Sequence, residues 1–184
     1  MPFAAAVLTL GFALVMAGCS DSADKAPDGW ETLATRGVDV SFPASGPEAF
    51  RAQSDNELGR SVAAAAVRTE HDRRVAMISV QLEFTQARDP DGAATGAEAG
   101  VQLGSTLQGT QKISLNGDND ARRVDFDFTS TGAQQTPKKG TRVHGVILTG
   151  LDSKDRTFAV RIDAQKGELA DSSLTKIIDT VTVH

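Results

Sequence analysis

The sequence predicts an α+β domain, a mainly antiparallel β-sheet flanked by helices, carried behind an export segment. Three observations support this. Stretches alternating between apolar and polar residues recur along the chain, each bounded by Gly, Pro, Asn or Asp. Two stretches of helical period interrupt them, one mid-chain and one near the C-terminus. The first eighteen residues carry no charge.

From Phe3 to Gly18 every residue is apolar or small apart from Thr9, which suits an export h-region and falls short of the ~20 apolar residues of a spanning helix. The run closes on Val15-Met16-Ala17-Gly18-Cys19, and Cys19 is the one cysteine of the chain. Small side chains before the scissile bond and a thiol after it are what lipoprotein processing requires, because sulfur must carry the diacylglyceryl group. A lone cysteine forms no intrachain disulfide, and a free thiol is a liability in an oxidising compartment. Cys19 is therefore the expected lipidation site, and two acyl chains at ~0.8 kcal/mol per buried methylene give a durable anchor. An ordinary signal peptide cut nearby, or an uncleaved anchor, are the alternatives. No Lys or Arg precedes the apolar run, so the expectation is either a start set too late or a weak signal. The expected organisation is a lipoprotein signal peptide over 1–18, the lipidated cysteine and a flexible tether over 19–29, and one globular domain over 30–184. The protein is then expected on the extracytoplasmic side of the cell membrane.

Composition narrows the partners. The formal net charge is -5, with both signs mixed along the chain, which excludes the basic stripe that nucleic-acid binding needs. Tyr is absent and aromatic residues make up 5%, too few for an extended sugar-stacking platform.

Within the domain, Glu31 to Ala34 and Val38 to Phe42 read as strands around a Thr35-Arg36-Gly37 turn, and Pro43 ends the second because it lacks the donor a ladder requires. Ser61 to Glu70 is a small-residue strand, and His71-Asp72-Arg73-Arg74 is a turn. Val75 to Phe84 follows as a strand, with Ala76, Ile78, Val80, Leu82 and Phe84 on one face. The pattern predicts a helix from about Ala93 to Gln111, in which Gly92, Gly96, Gly100 and Gly104 repeat at every fourth residue. Each interior glycine costs ~0.8–1 kcal/mol against Ala, so a close approach to a sheet is expected there, or else a mobile lid. Lys112 to Leu115 and Ala121 to Thr129 form a hairpin at Asn116-Gly117, with Val124, Phe126 and Phe128 inward and Asp125 and Asp127 outward. Ser130 to Gly140 is a loop. Arg142 to Leu151 and Thr157 to Ala164 are strands, the latter with Phe158, Val160 and Ile162 on one face, and a helix spans Glu168 to Asp179 with Asp171 or Ser172 as N-cap.

This order of elements carries a resemblance. The opening Val38-Asp39-Val40-Ser41-Phe42-Pro43, the run Leu115-Asn116-Gly117 and the closing Leu174-Thr175-Lys176-Ile177-Ile178-Asp179-Thr180-Val181 resemble the PsbP-like family, which includes small envelope lipoproteins of the DcrB and LpqN kinds. The resemblance spans Trp30 to His184 and implies an α/β/α sandwich, with no catalytic residues to carry over.

Candidate chemistry is sparse. His71, His144 and His184 have no paired spacing, so no zinc site is expected. Asn116, Asp118 and Asp120 begin like a calcium loop, but Ala121 stands where Gly is needed and Asp127 where a bidentate Glu is needed, so a hairpin turn is the expectation. No nucleophile elbow or phosphate loop occurs. Lys138, Lys139 and Arg142, with Arg122 and Arg123, form the basic clusters, read as solvated surface or a contact to anionic headgroups. The expected function is a noncatalytic anchored module, without cofactor or metal, that binds an envelope protein or a glycolipid. The alternative is a small-ligand or lipid carrier with a cavity beneath the mid-chain helix, lined by Gly100, Leu103 and Leu107.

Overall fold

Two hairpins open the domain. The computed structural model describes residues 26–101, 104–132 and 137–184, so Cys19, the expected signal and most of the tether lie outside the described residues, as does Leu103. The first hairpin joins β1 (Trp30–Leu33) to β2 (Val38–Pro43). Thr35 holds its turn, donating from Oγ1 to the Val38 carbonyl and from its own N–H to the Asp39 carboxylate. After the short β3 (Arg51–Ala52), β4 (Ala64–Glu70) and β5 (Arg73–Leu82) meet at a two-residue turn in which His71 and Asp72 both take positive φ, 49° and 61°, the geometry that matches strand twist.

The mid-chain helix is shorter than expected. Helix α1 spans Pro90–Ala99, and by Thr106 the chain is a strand, β6 (Thr106–Leu115). The start is well specified, since the Asp89 carboxylate accepts the Gly92 N–H at 2.7 Å and Pro90 occupies the first turn. Gly100 is the C-cap, and Gly104 takes φ +88. The four-residue glycine period thus continued past the true end: two of its members punctuate the chain, and the β-branched Thr106, Thr110 and Ile113 beyond them favour a strand. Leu107, expected on the helix, is on β6 and 49% exposed.

The hairpin of β6 and β7 (Asp118–Thr129) turns at Asn116-Gly117, with Gly117 at φ +85 against the carbonyl of Val183. β8 (Arg142–Leu151) and β9 (Thr157–Gln165) follow, then α2 (Asp171–Asp179) and β10 (Thr182–Val183). Helix α2 starts three residues later than expected, and its N-cap is Ala170, not Asp171 or Ser172. The Glu48 carboxylate supplies the acceptor, taking the Ala170 N–H at 2.9 Å.

The strands form a seven-stranded antiparallel sheet in the order β3-β4-β5-β9-β8-β7-β6 and a small sheet β1-β2-β10. Register sorts the large sheet into two faces. The row Ala66, Ile78, Ile162, Val146 and the row Ala64, Val80, Val160, Leu148 share one face. Val38, Val40 and Phe42 of the small sheet pack on it with Ile177 of α2, all without solvent exposure. The predicted face of β9, Phe158, Val160 and Ile162, is part of this core. The predicted face of β5 breaks at Glu83, whose φ is 53°, so that Leu82 packs in this core while Phe84 joins the opposite one.

On the other face α1 lays Ala94 and Ala97 against Val124, Phe126 and Ile147. Two strand residues make this packing possible. The Phe126 ring lies across Gly145, directly opposite it in the ladder, where any Cβ would overlap the ring. Gly96 faces Thr85, whose Cβ is 3.2 Å from where a glycine Cβ would stand. Polar ties add to it: Asp91 pairs with Arg122 at 2.7 Å, and Thr110 donates to Glu98 at 2.6 Å. Lys112 and Arg122 hold the Asp120 carboxyl down to about 2 by hydrogen bonding.

The close approach is therefore at Gly96, whereas a Cβ at Gly100 would make ordinary contact at 3.4 Å with its own helix. Gly96→Leu should cost ~1–3 kcal/mol by overpacking, and Gly100→Ala should stabilise by up to ~1 kcal/mol through helix propensity. Urea denaturation of both variants checks this; equal losses would mean that both glycines press on the sheet.

Candidate functional site

Helix α1 reaches across only part of its face of the sheet. Helix α1 sits over β7 and β8, and the same face of β5 and β9 presents Ser79, Met77, Arg161 and Asp163. A cavity of about 420 Å³ opens there, beside the C-terminal end of α1, within the size range of small-ligand sites. Val62, Val75, Met77, Phe128, Pro137 and Val143 give it apolar walls, and Gly100 is at its rim. Arg74, Ser79, Gln81, Arg161 and Asp163 supply its polar groups.

These polar groups are held in place by the sheet. Asp163 lies opposite Gly145 on β8 and Met77 on β5, with 14% of its side chain exposed. Arg161 donates from Nε to both Asp163 oxygens, at 3.0 and 2.9 Å, and its guanidinium carbon stands 4.9 Å over the Phe126 ring. The ring that α1 packs against thus also carries the arginine of the pocket. Arg74 contacts the Met77 sulfur at 3.0 Å and adds positive charge near Asp163. Burial raises the Asp163 carboxyl above the usual aspartate range, against the opposing pull of Arg161, Arg74 and His144. Burial also lowers the Arg74 guanidinium, which Asp163 partly offsets.

A second groove of about 350 Å³ lies on the opposite face, between β8, β9 and α2. Its floor is Ile162, Ala164, Leu169 and Leu174, and its wall is Gln108, Asp127 and His144. Lys166 and Asp171 also line it, while Asp127 and His144 pair in its wall and Arg123 and Asp125 pair on the neighbouring stretch of β7. His144 Nδ1 donates to Asp127 at 3.0 Å, and Arg123 grips Asp125 through Nε at 2.8 Å and Nη2 at 2.7 Å. Asp125 and Asp127, expected on a solvated face, are about four-fifths buried, with 21% and 22% of their side chains exposed. They face the small-sheet side, where the apolar core stops short of β7.

The expected ligand set is dispersed. Gly100 borders the cavity, Leu107 is on β6 away from it, and Leu103 lies outside the described residues. The expected basic cluster is also divided: Arg122 pairs with Asp91 and Asp120, Arg123 with Asp125 and Arg142 with Asp127. His71 is in a turn and His184 pairs with Asp39 at 3.0 Å. Among the described residues no group of three or more His, Cys, Asp or Glu is placed to hold a metal ion.

No protein-family model matches the chain, and no curated protein is similar to it in sequence. Solved structures with a distant likeness include the Saccharomyces cerevisiae Ran-binding protein Mog1p, at 10% identity and TM-score 0.48 over 82% of this chain and 85% of that one. A Bacteroides thetaiotaomicron protein gives 10% identity and TM-score 0.45 over 80% of this chain, which spans 45% of its length. The protein of unknown function PA94 from Pseudomonas aeruginosa gives 12% identity and TM-score 0.37 over 76% of this chain and 85% of that one.

Arg161 and Asp163 went unread in the sequence because they alternate with Val160 and Ile162, the pattern of a half-exposed strand. β9 is interior, between β5 and β8, so their face is not simply solvent. The raised Asp163 carboxyl has a defined linkage. The folded state binds its proton more tightly than the unfolded chain, which ionises near pH ~3.9. Stability should therefore fall as pH rises from there through the raised folded value, and then level off. Asp163→Asn should flatten that slope, and carbon-13 NMR should show the Asp163 carboxyl titrating above the ordinary aspartate value. A midpoint at or below the ordinary value would overturn the assignment.

Proposed function

We propose that this chain is a noncatalytic cell-envelope lipoprotein of the PsbP-like kind, anchored through Cys19, whose domain holds a small amphipathic ligand in the pocket beside α1. The observation that carries the reading is the combination in one cavity of apolar walls with a fixed charged group, Arg161 on Asp163, beside the end of α1. Core-filling residues such as Ile78, Ile162 and Leu148 are fully enclosed, so they serve packing. The pocket residues Arg161 and Asp163 do not: a buried carboxylate whose burial disfavours its own charge is a cost to folding. Such costs cluster at functional sites. The placement at the membrane rests on the apolar run before Cys19 and on the thiol itself. No helix among the described residues is long and apolar enough to cross a membrane.

A protein partner adding a strand to β6 is the second reading, favoured by the exposure of eight of that edge strand's ten residues. Register shifts at Leu107/Gly109 and Ile113/Leu115 interrupt this edge, and Lys112 stands on it. Those are devices that discourage edge pairing, so the pocket reading is preferred.

Native mass spectrometry of the protein extracted from membranes should show a co-purifying small amphiphile, absent from Met77→Trp, which fills the pocket. A stoichiometric protein in place of a small molecule would return the function to partner docking. Cys19→Ala should move the protein from the membrane to the soluble fraction; persistence in the membrane with unchanged processing would defeat the anchor.

A further inference from the structure

We infer that the pocket beside α1 selects an amphipathic anion, with a carboxylate or phosphate head on Arg161 and an apolar tail along Val75, Met77 and Val143. This rests on the pocket reading above and names the ligand class for it.

The donors of Arg161 carry the argument. A guanidinium offers five N–H donors in a planar fork. In Arg161 only Nε is engaged, by Asp163 at 3.0 and 2.9 Å, and the terminal nitrogens have no hydrogen-bond partner among the described residues. The side chain is 23% exposed and lines the cavity. Polar groups this enclosed are normally paired. The terminal pair of nitrogens, locked in orientation by Asp163 below and by the Phe126 ring 4.9 Å away, is shaped for a bidentate oxyanion. Arg123 on the opposite face is used differently, since it closes on Asp125 through both Nε and Nη2.

Charge balance points the same way. The pocket brings together two cations, Arg74 and Arg161, and one carboxylate, Asp163. It is therefore net positive with Asp163 ionised, and more so with Asp163 protonated. A cationic or neutral head would leave the terminal nitrogens of Arg161 without an acceptor in a partly desolvated site, whereas an oxyanion supplies one. The apolar walls supply contacts for a chain and none for a second charged end.

The test uses the domain from Ala26 onward within the full mature chain, with dodecanoate, dodecyl phosphate, dodecanol and dodecylammonium as probes below their micelle concentrations. Isothermal titration gives affinities, and amide chemical-shift changes at Val75, Met77 and Val143 locate the site. The anionic probes should bind there at least about tenfold more tightly than dodecanol, corresponding to about 1.4 kcal/mol or more. Arg161→Met, which keeps an unbranched side chain over Phe126, should abolish that preference. The two anionic arms distinguish a carboxylate from a phosphate head. Should Arg161→Met fail to fold, the wild-type comparison still decides. Dodecanol or dodecylammonium binding as tightly as dodecanoate at these residues would overturn the head-group inference and leave the pocket reading standing. Shifts elsewhere, or no binding by any probe, would overturn both.

Discussion

One short helix has to cover one face of a wide sheet, and it cannot. Seven strands at a spacing of about 4.8 Å make a sheet about 29 Å across. A helix with its side chains spans about 10–12 Å. The opposite face is closed by a three-stranded sheet and α2 together, which is why its apolar rows run from β4 to β8. On the α1 side, Val124, Phe126, Ile147 and Ala159 pack with the helix, and a cavity lies beyond its reach over β5 and β9, where Ser79 and Val75 are themselves buried.

The residues at that boundary serve both parts of the face. Gly145 has no side chain, so Phe126 can lie flat across β8. The ring then presents one surface to α1 and stands under Arg161, which Asp163 fixes from the same strand. Packing under α1 thus orients the charged group in the cavity. A change at Gly145 would reach the pocket through Phe126 without touching a ligand.

The two cavities differ in what their charges do. On the α2 side, Asp125, Asp127, Arg123, Arg142 and His144 form a closed set of pairs at the margin of the core. That arrangement carries paired charge to the edge of the domain. Beside α1 the carboxylate count is lower than the cation count, and Arg161 is engaged at one nitrogen. Charge content alone does not separate the two sites; the pairing does.

Much of the fold was legible locally. Turn chemistry placed the hairpins at Thr35-Arg36-Gly37 and Asn116-Gly117 and a turn over His71-Asp72-Arg73-Arg74 that the fold closes in two residues, and alternation placed the inner face of β9, because backbone conformation and period are properties of short segments. The anchor reading rests entirely on the residues around Cys19. The end of α1 was misplaced because a four-residue glycine period persists into Gly100 and Gly104, which in the fold stop the helix and turn the chain. The break in β5 at Glu83 and the cap on α2 from Glu48 were likewise beyond the sequence, since the first is a single backbone angle and the second a contact across 122 residues. The site itself was set by tertiary structure: only the placement of β9 inside the sheet, and of α1 over its neighbours alone, turns an alternating Arg161 and Asp163 into the charged floor of a pocket. Which face of a strand is covered depends on what packs there, and no local pattern encodes the width of a sheet against the reach of one helix.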